Sequence, residues 1–175
     1  RFGAPDGSFL DAEGSDLLTV TAHTLTDDAC PSATASMVMA LRRVGLMAER
    51  DDFVRRADEA SGALLPVVAS TPRFAGWALA DFLIADEARR GLKPAGVVIA
   101  DTQEEPTDLA AAAWRMAPAG SAIMRRVGEG SGFGTWFEDR APRDGQPMCW
   151  VCRGKVCFEP VTEYLELKDP LWRRA

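Results

Sequence analysis

Gly96-Val97-Val98-Ile99-Ala100-Asp101 is where the hydrophobic pattern of this chain switches from a helical period to that of a strand. A polar loop, Pro106 and an alanine-rich helix running to Met116 follow, and a second strand runs from Ser121 to Val127. That order predicts a βαβ unit, since two parallel strands need a crossover long enough to return the chain to the same edge. Further on, Met148 to Cys152 and Val156 to Glu159 read as two strands around Gly154-Lys155, and Val161 to Leu167 as a short closing helix.

Before this switch the period is helical. Met37, Leu41 and Val44 recur at helical spacing, Val38 and Ala40 widen the stripe, and Pro31 suits a first helical position, so a helix is expected to end near Gly45. A second helix starts at Asp51 or Asp52 as N-cap and runs through Phe53, Val54, Ala57, Ala60 and Leu64, making a helical hairpin with the first. A third, from Pro72, carries Phe74, Trp77, Ala78, Phe82 and Ala85 on one stripe and Leu79 and Leu83 on another, a pattern that predicts burial. The first 29 residues carry only short apolar runs, such as Leu17-Leu18-Thr19-Val20, and read as loop with one or two short strands. The expected class is α+β: a helical segment over 1–92, then a small α/β unit over 93–175 that contains a hairpin at 148–159.

Composition limits the function. At 175 residues, 47% apolar and 26% charged, the chain can bury one core or two small ones and is not disordered. Twenty basic against 26 acidic residues leave a net charge of −6, and the basic ones are scattered in pairs such as Arg42-Arg43 and Arg125-Arg126, so nucleic acid is not an expected partner. The longest apolar stretch, Phe74 to Ala85, is broken by Asp81 and too short to span a bilayer, so no membrane partner is expected either. An opening at Arg1, with no methionine and no basic-then-apolar leader, reads as a cut from a longer chain. Three of the four cysteines crowd between Cys149 and Cys157, unlike a disulfide-stapled secreted domain, which points to a reducing, cytoplasmic setting.

If Gly154-Lys155 is a two-residue turn, Arg153 faces Val156 and Cys152 faces Cys157 across the ladder. Opposed cysteines can hold a metal with other ligands, form a reducible disulfide, or pack as small hydrophobes. The chain supplies few further ligands, so neither a metal nor another cofactor is read. Cys149 and Cys152 are spaced as Cys-x-x-Cys, yet an offset of three on a strand sends them to opposite faces. Cys30 before Pro31 lies at a helix start, where the macrodipole favours a thiolate, but Asp27 and Asp28 oppose that shift, so an inert thiol is expected. His23 is the only histidine and reads as a loop or structural residue. Asp101 reads as a turn-forming aspartate at a strand end, and Gly128 to Gly134 as a flexible loop, because no helix follows to make a phosphate site.

Two stretches carry a family resemblance. Asp28-Ala29-Cys30-Pro31-Ser32-Ala33-Thr34 is similar to an Asp-Gly-Ala-x-Pro-Ser-Gly-Asn-Ser helix start. Asp144-Gly145-Gln146-Pro147, Trp150-Val151-Cys152, Cys157 and Pro160-Val161-Thr162 are similar to a Gly-x-Pro, Tyr-Val-Cys-x4-Cys and Pro-Val-Thr set. Together they resemble the C-terminal region of the thioredoxin-like, spermatogenesis-associated family of uncharacterised proteins, which join a thioredoxin-like domain to an α/α toroid like that of six-hairpin glycosidases. The likeness runs from about Gly14 to Leu167, with Ala33 and Thr34 standing for the usual Gly and Asn, and Trp150 for Tyr.

The resemblance implies that this chain is the C-terminal portion of a larger protein and not a complete enzyme, and the family has no settled activity to carry over. It also places Asp27, Asp28 and Ser32 on a toroid rim, with Asp28 and Ser32 as candidate catalytic residues, in a pocket for a small polar or sugar-like ligand. The alternative is a non-catalytic scaffold that seals the toroid and docks the thioredoxin-like domain. The implied partner is the N-terminal remainder of the parent, with self-association through Phe74, Trp77 and Phe82.

Overall fold

The structure, a computed structural model, describes residues 2–13, 22–128, 134–154 and 156–174. The apolar run Leu17-Leu18-Thr19-Val20, Lys155 of the hairpin turn and most of the glycine-rich loop, 129–133, lie outside the described residues. The chain has an α+β fold of two compact units, one of residues 1–45 and 50–85, the other of 46–49 and 86–175.

The helices of the first unit are α1 (Ala33–Met47, counted to Gly45 in this unit), α2 (Asp51–Gly62), α3 (Leu65–Ser70) and α4 (Gly76–Arg89, counted to Ala85). Phe9, Ala35, Val38, Ala57, Ala60, Leu64, Ala75 and Ala78 make its core, and five alanines among eight residues let the helices approach closely. The N-terminal segment is held to α1 by Thr34, whose hydroxyl accepts from the Phe9 N–H at 3.0 Å and donates to the Phe9 carbonyl at 3.1 Å.

Two expectations need correction here. The buried face of α1 carries Thr34, Ala35, Val38 and Gly45, while Met37 and Val44 of the expected stripe are 38% and 45% exposed. In place of one helix from Pro72 there is a 3-10 turn, Pro72–Phe74, and then α4, whose buried residues include Ala78 and Asp81. Phe74, Trp77 and Leu83 are exposed.

One polar network accounts for both shifts. The Asp81 carboxylate, 1% exposed, accepts from Arg42 Nε at 2.6 Å, Arg42 Nη2 at 3.2 Å and Ser61 Oγ at 2.9 Å, and Arg42 Nη1 reaches Asp58 at 2.5 Å. A buried carboxylate must have such partners. The helices turn to bring them together, and apolar side chains at 37, 44, 77 and 83 face outward.

The second unit is built on a sheet ordered β2-β1-β3-β4, with β1 (Gly96–Asp101), β2 (Ala122–Val127), β3 (Met148–Arg153) and β4 (Val156–Cys157). β1 pairs parallel with β2, joined by α5 (Asp108–Met116), and antiparallel with β3. A 3-10 turn, Tyr164–Leu167, leads into α6 (Lys168–Trp172). The unbroken Val-Val-Ile run of β1 suits a strand covered on both faces, and every residue of β1 is buried. Val97, Ile99, Cys149 and Val151 pack on one side with Leu109, Ala110 and Ala113 of α5 and with Leu167 and Leu171. Val98, Met124 and Cys152 pack on the other with Trp136 and Phe137. Cys149 and Cys152 therefore lie on opposite faces. Trp136 fits because Gly96 has no side chain: a β-carbon there would stand 2.4 Å from the indole ring.

In the β3–β4 ribbon Cys152 stands opposite Cys157, and Arg153 opposite Val156. Phe158 N–H donates to the Val151 carbonyl at 2.9 Å, so by alternation Cys152 and Cys157 occupy a non-hydrogen-bonded position, where facing side chains come closest. Their Cα atoms are 3.9 Å apart, and the two sulfurs are joined in a disulfide.

Candidate functional site

Asp101 ends β1 with its carboxylate turned inward. Oδ1 accepts from the Thr102 N–H at 2.9 Å, and Oδ2 from the Thr107 N–H at 3.3 Å and from Arg125 Nε of β2 at 2.7 Å. Burial by itself would raise its pKa, but the Arg125 bond and the backbone donors outweigh that and hold it below the usual carboxylate value. Arg125 Nη2 then reaches the Gln103 and Glu104 carbonyls at 2.5 and 2.9 Å. Asp101 and Arg125 thus clamp the loop that delivers Thr107, the N-cap of α5, whose hydroxyl accepts from the Ala110 N–H.

Beside that loop is an opening of about 410 Å³ lined by Gln103, Thr107, Asp108, Gln146, Thr162 and Tyr164, among others. A second opening, of about 250 Å³, is lined by Arg143, Asp144, Glu159 and Pro160, and it shares Gln146 and Thr162 with the first. Gln146 is set by a tight turn: Arg143 and Gln146 exchange backbone hydrogen bonds of 3.1 and 2.8 Å around Asp144 and Gly145. Both central residues have positive φ, 52° and 73°, which an Asp-Gly pair tolerates. On the other strand, reciprocal 2.9 Å bonds between Cys149 and Val161 place Thr162. The cleft is therefore lined by hydroxyl, amide and carboxylate groups, with the Arg143 guanidinium in its smaller part, on a braced backbone.

The residues singled out from the sequence lie elsewhere. Ser32 is buried, and its hydroxyl accepts from the Ala35 N–H at 3.2 Å, as a helix cap does. Asp27, not Asp28, organises this corner, with one oxygen accepting from the Ser32 N–H at 2.9 Å and the other from the Trp77 N–H at 2.8 Å. Asp28 is exposed, and its side chain has no hydrogen bond among the described residues. Cys30 is an exposed free thiol, and Cys149 is a buried one whose pKa burial pushes up to about 12.

Sequence reasoning missed the contact that His23 makes. Ser8 Oγ lies 2.5 Å from His23 Nε2 and 2.5 Å from Asp6 Oδ1. In a hydrolytic triad the histidine stands between serine and carboxylate and takes the serine proton. Here serine stands in the middle. Its one hydrogen goes to Asp6, so His23 Nε2 must be the donor in that pair and cannot act as base toward Ser8. An opening of about 600 Å³ in this unit is lined mainly by apolar groups such as Phe2, Phe9, Leu10 and Met37. Arg56 also lines it, but that guanidinium is committed to the Gly7 carbonyl at 2.6 Å and to the face of Phe9.

Compared with protein-family models, curated proteins and solved structures, the chain matches none. Residues of the stretches Asp144–Pro147 and Pro160–Thr162 line the same cleft. No helix among the described residues is long and apolar enough to cross a membrane.

Proposed function

We propose that the second unit binds a small, neutral, polyhydroxylated ligand in the cleft between the α5 N-cap and the Asp144-Gly145 turn. It would do so as part of a larger cytoplasmic protein of the thioredoxin-like, toroid-bearing type. The observation that carries this reading is the sharing of Gln146 and Thr162 by two adjoining polar openings. A carboxamide and a hydroxyl can each donate and accept, which suits sugar hydroxyls. Asp108 and Glu163 accept further hydroxyls, Tyr164 offers a ring face, and no Lys or Arg lines the larger opening, so anions are disfavoured there.

Calorimetric titration with a panel of monosaccharides and polyols tests this. At least one member of the panel should bind saturably, Gln146→Ala and Thr162→Val should each weaken it about three- to tenfold, as loss of one hydrogen bond does, and Asp28→Ala should leave it unchanged. Absence of saturable binding across the panel, or weakening by Asp28→Ala alone, contradicts the proposal.

A second reading, an interaction module, is favoured by the exposure of Leu65, Phe74, Trp77 and Leu83 in the first unit, at 57%, 47%, 45% and 66%. Apolar surface of this kind drives association. Sedimentation should show a concentration-dependent rise in mass that Trp77→Ser reduces; a strict monomer at every concentration removes this reading.

A further inference from the structure

We infer that the Cys152–Cys157 disulfide is a thiol–disulfide exchange site that accepts electrons from a dithiol, with Arg140 as the group that stabilises the departing thiolates. The inference does not depend on the cleft.

Cys157 lies exposed on the two-residue edge strand β4, whereas Cys152 is 1% exposed beneath Trp136 and Phe137. Against both sulfurs stands one cation: Arg140 Nη2 is 3.2 Å from Cys157 Sγ and 3.9 Å from Cys152 Sγ. Its position is fixed, since Nη1 donates to the Trp136 carbonyl at 2.5 Å and the Arg140 carbonyl accepts from Arg126 Nη2 at 2.9 Å. Among the described residues no carboxylate forms an ion pair with Arg140. A guanidinium without a counter-ion, held against a disulfide, does little for neutral sulfur and much for sulfur that becomes an anion.

The exchange follows from these positions. A thiolate of the incoming dithiol attacks Cys157 Sγ, the exposed end; a mixed disulfide forms, the Cys152–Cys157 bond breaks, and Cys152 leaves as a thiolate beside Arg140. The second thiol of the reductant, deprotonated, attacks its partner sulfur in the mixed disulfide and releases Cys157 as a thiolate, also beside Arg140. The reductant ends as a cyclic disulfide, its two electrons reside on Cys152 and Cys157, and its two protons pass to those sulfurs or to solvent. Cys149 takes no part, because it packs on the opposite face of the sheet.

The test is reduction of the native 175-residue chain by dithiothreitol at neutral pH. Alkylation and peptide mass spectrometry follow Cys30, Cys149, Cys152 and Cys157 separately, and circular dichroism confirms that the fold persists. Cys152 and Cys157 should become alkylated together and re-form their bond with oxidised dithiothreitol. Arg140→Gln should slow reduction about tenfold, the effect of losing one nearby cation on thiolate formation, and Arg140→Lys should restore most of the rate. If the Gln variant misfolds, the salt dependence of the wild-type rate gives a second readout, since the contribution of a cation declines as salt rises. A pair that is reduced only on unfolding, or a rate that is the same in Arg140→Gln and insensitive to salt, overturns the inference.

Discussion

Arg42→Met is expected to cost the helical unit about 3–5 kcal/mol, the range for stripping one partner from a buried ion pair. The two partners are not equivalent. Arg42 is 22% exposed and keeps Asp58 whatever happens at position 81, whereas Asp81 is 1% exposed and without Arg42 has only the Ser61 hydroxyl. Removing the cation therefore strands a charge that has no route to water. The double variant Arg42→Met/Asp81→Leu should recover most of the loss, because a buried pair replaced by apolar groups of similar size is close to neutral. The remaining deficit, about 1 kcal/mol, is the Ser61 hydroxyl left without its acceptor. Urea denaturation followed by the helical signal measures all three. A single variant within 1 kcal/mol of wild type would show that the network does not set the packing of α1, α2 and α4.

Arg153→Met should be comparably damaging in the other unit, for a different reason. The Arg153 side chain is buried and makes no ion pair with a carboxylate among the described residues. Nε donates to the Lys93 carbonyl at 2.9 Å, Nη1 to the Pro170 carbonyl at 2.7 Å, and Nη2 to the Leu171 carbonyl. Burial lowers its pKa, but a guanidinium starts so high that it stays charged at neutral pH. The cation thus binds the carbonyls at the end of α6, where a helix favours positive charge, and ties α6 to β3 and to the chain before β1. Methionine would leave three carbonyls in an apolar setting, at a cost of about 3 kcal/mol, or roughly 6–12 °C in melting temperature for a chain of this size. Lysine should not rescue the loss, because one ammonium cannot span acceptors that a planar fork reaches from three nitrogens. Hydrogen exchange at Leu171 and Trp172 localises the effect. Protection there equal to wild type in Arg153→Met would mean that packing of Leu167 and Leu171 alone holds the C-terminal helix.

These two networks mark where the sequence could be read and where it could not. The parallel β1–α5–β2 unit and the Cys152–Cys157 register follow from local patterns, because a strand period and a two-residue turn fix facing positions within a few residues. The core face of α1 was only partly legible from apolar spacing: Val38 and Leu41 do pack on the core, but Thr34, Ala35 and Gly45 share that face, with Arg42 drawn toward Asp81. The partners Asp81 and Ser61 lie 39 and 19 residues away from Arg42, and no window on one helix contains them. The burial predicted for the helix after Pro72 held for Ala78 and in part for Phe82, and failed for Phe74, Trp77 and Leu83 for the same reason. It assumed that the most apolar stripe faces the core, whereas a single inward carboxylate set the rotation.

The site shows a similar split. The stretches that contain Gln146 and Thr162 stand out as a motif, yet nothing in their spacing says that they meet. Asp101 at a strand end was visible as a local feature; the N-cap role of Thr107 and the loop clamp that Asp101 forms with Arg125 of the neighbouring strand come from the structure. Arg140 gave no signal at all, because it reaches the sulfurs from a turn 12 and 17 residues before them.

Amide chemical-shift mapping tests the cleft most directly. A saturating titration of the isotope-labelled full chain with the sugar and polyol panel should move the amides of Thr107, Gln146 and Thr162 together, along one binding curve. Shifts confined to the Asp28–Ser32 corner, or no saturating shift at those three amides with any member of the panel, would contradict it.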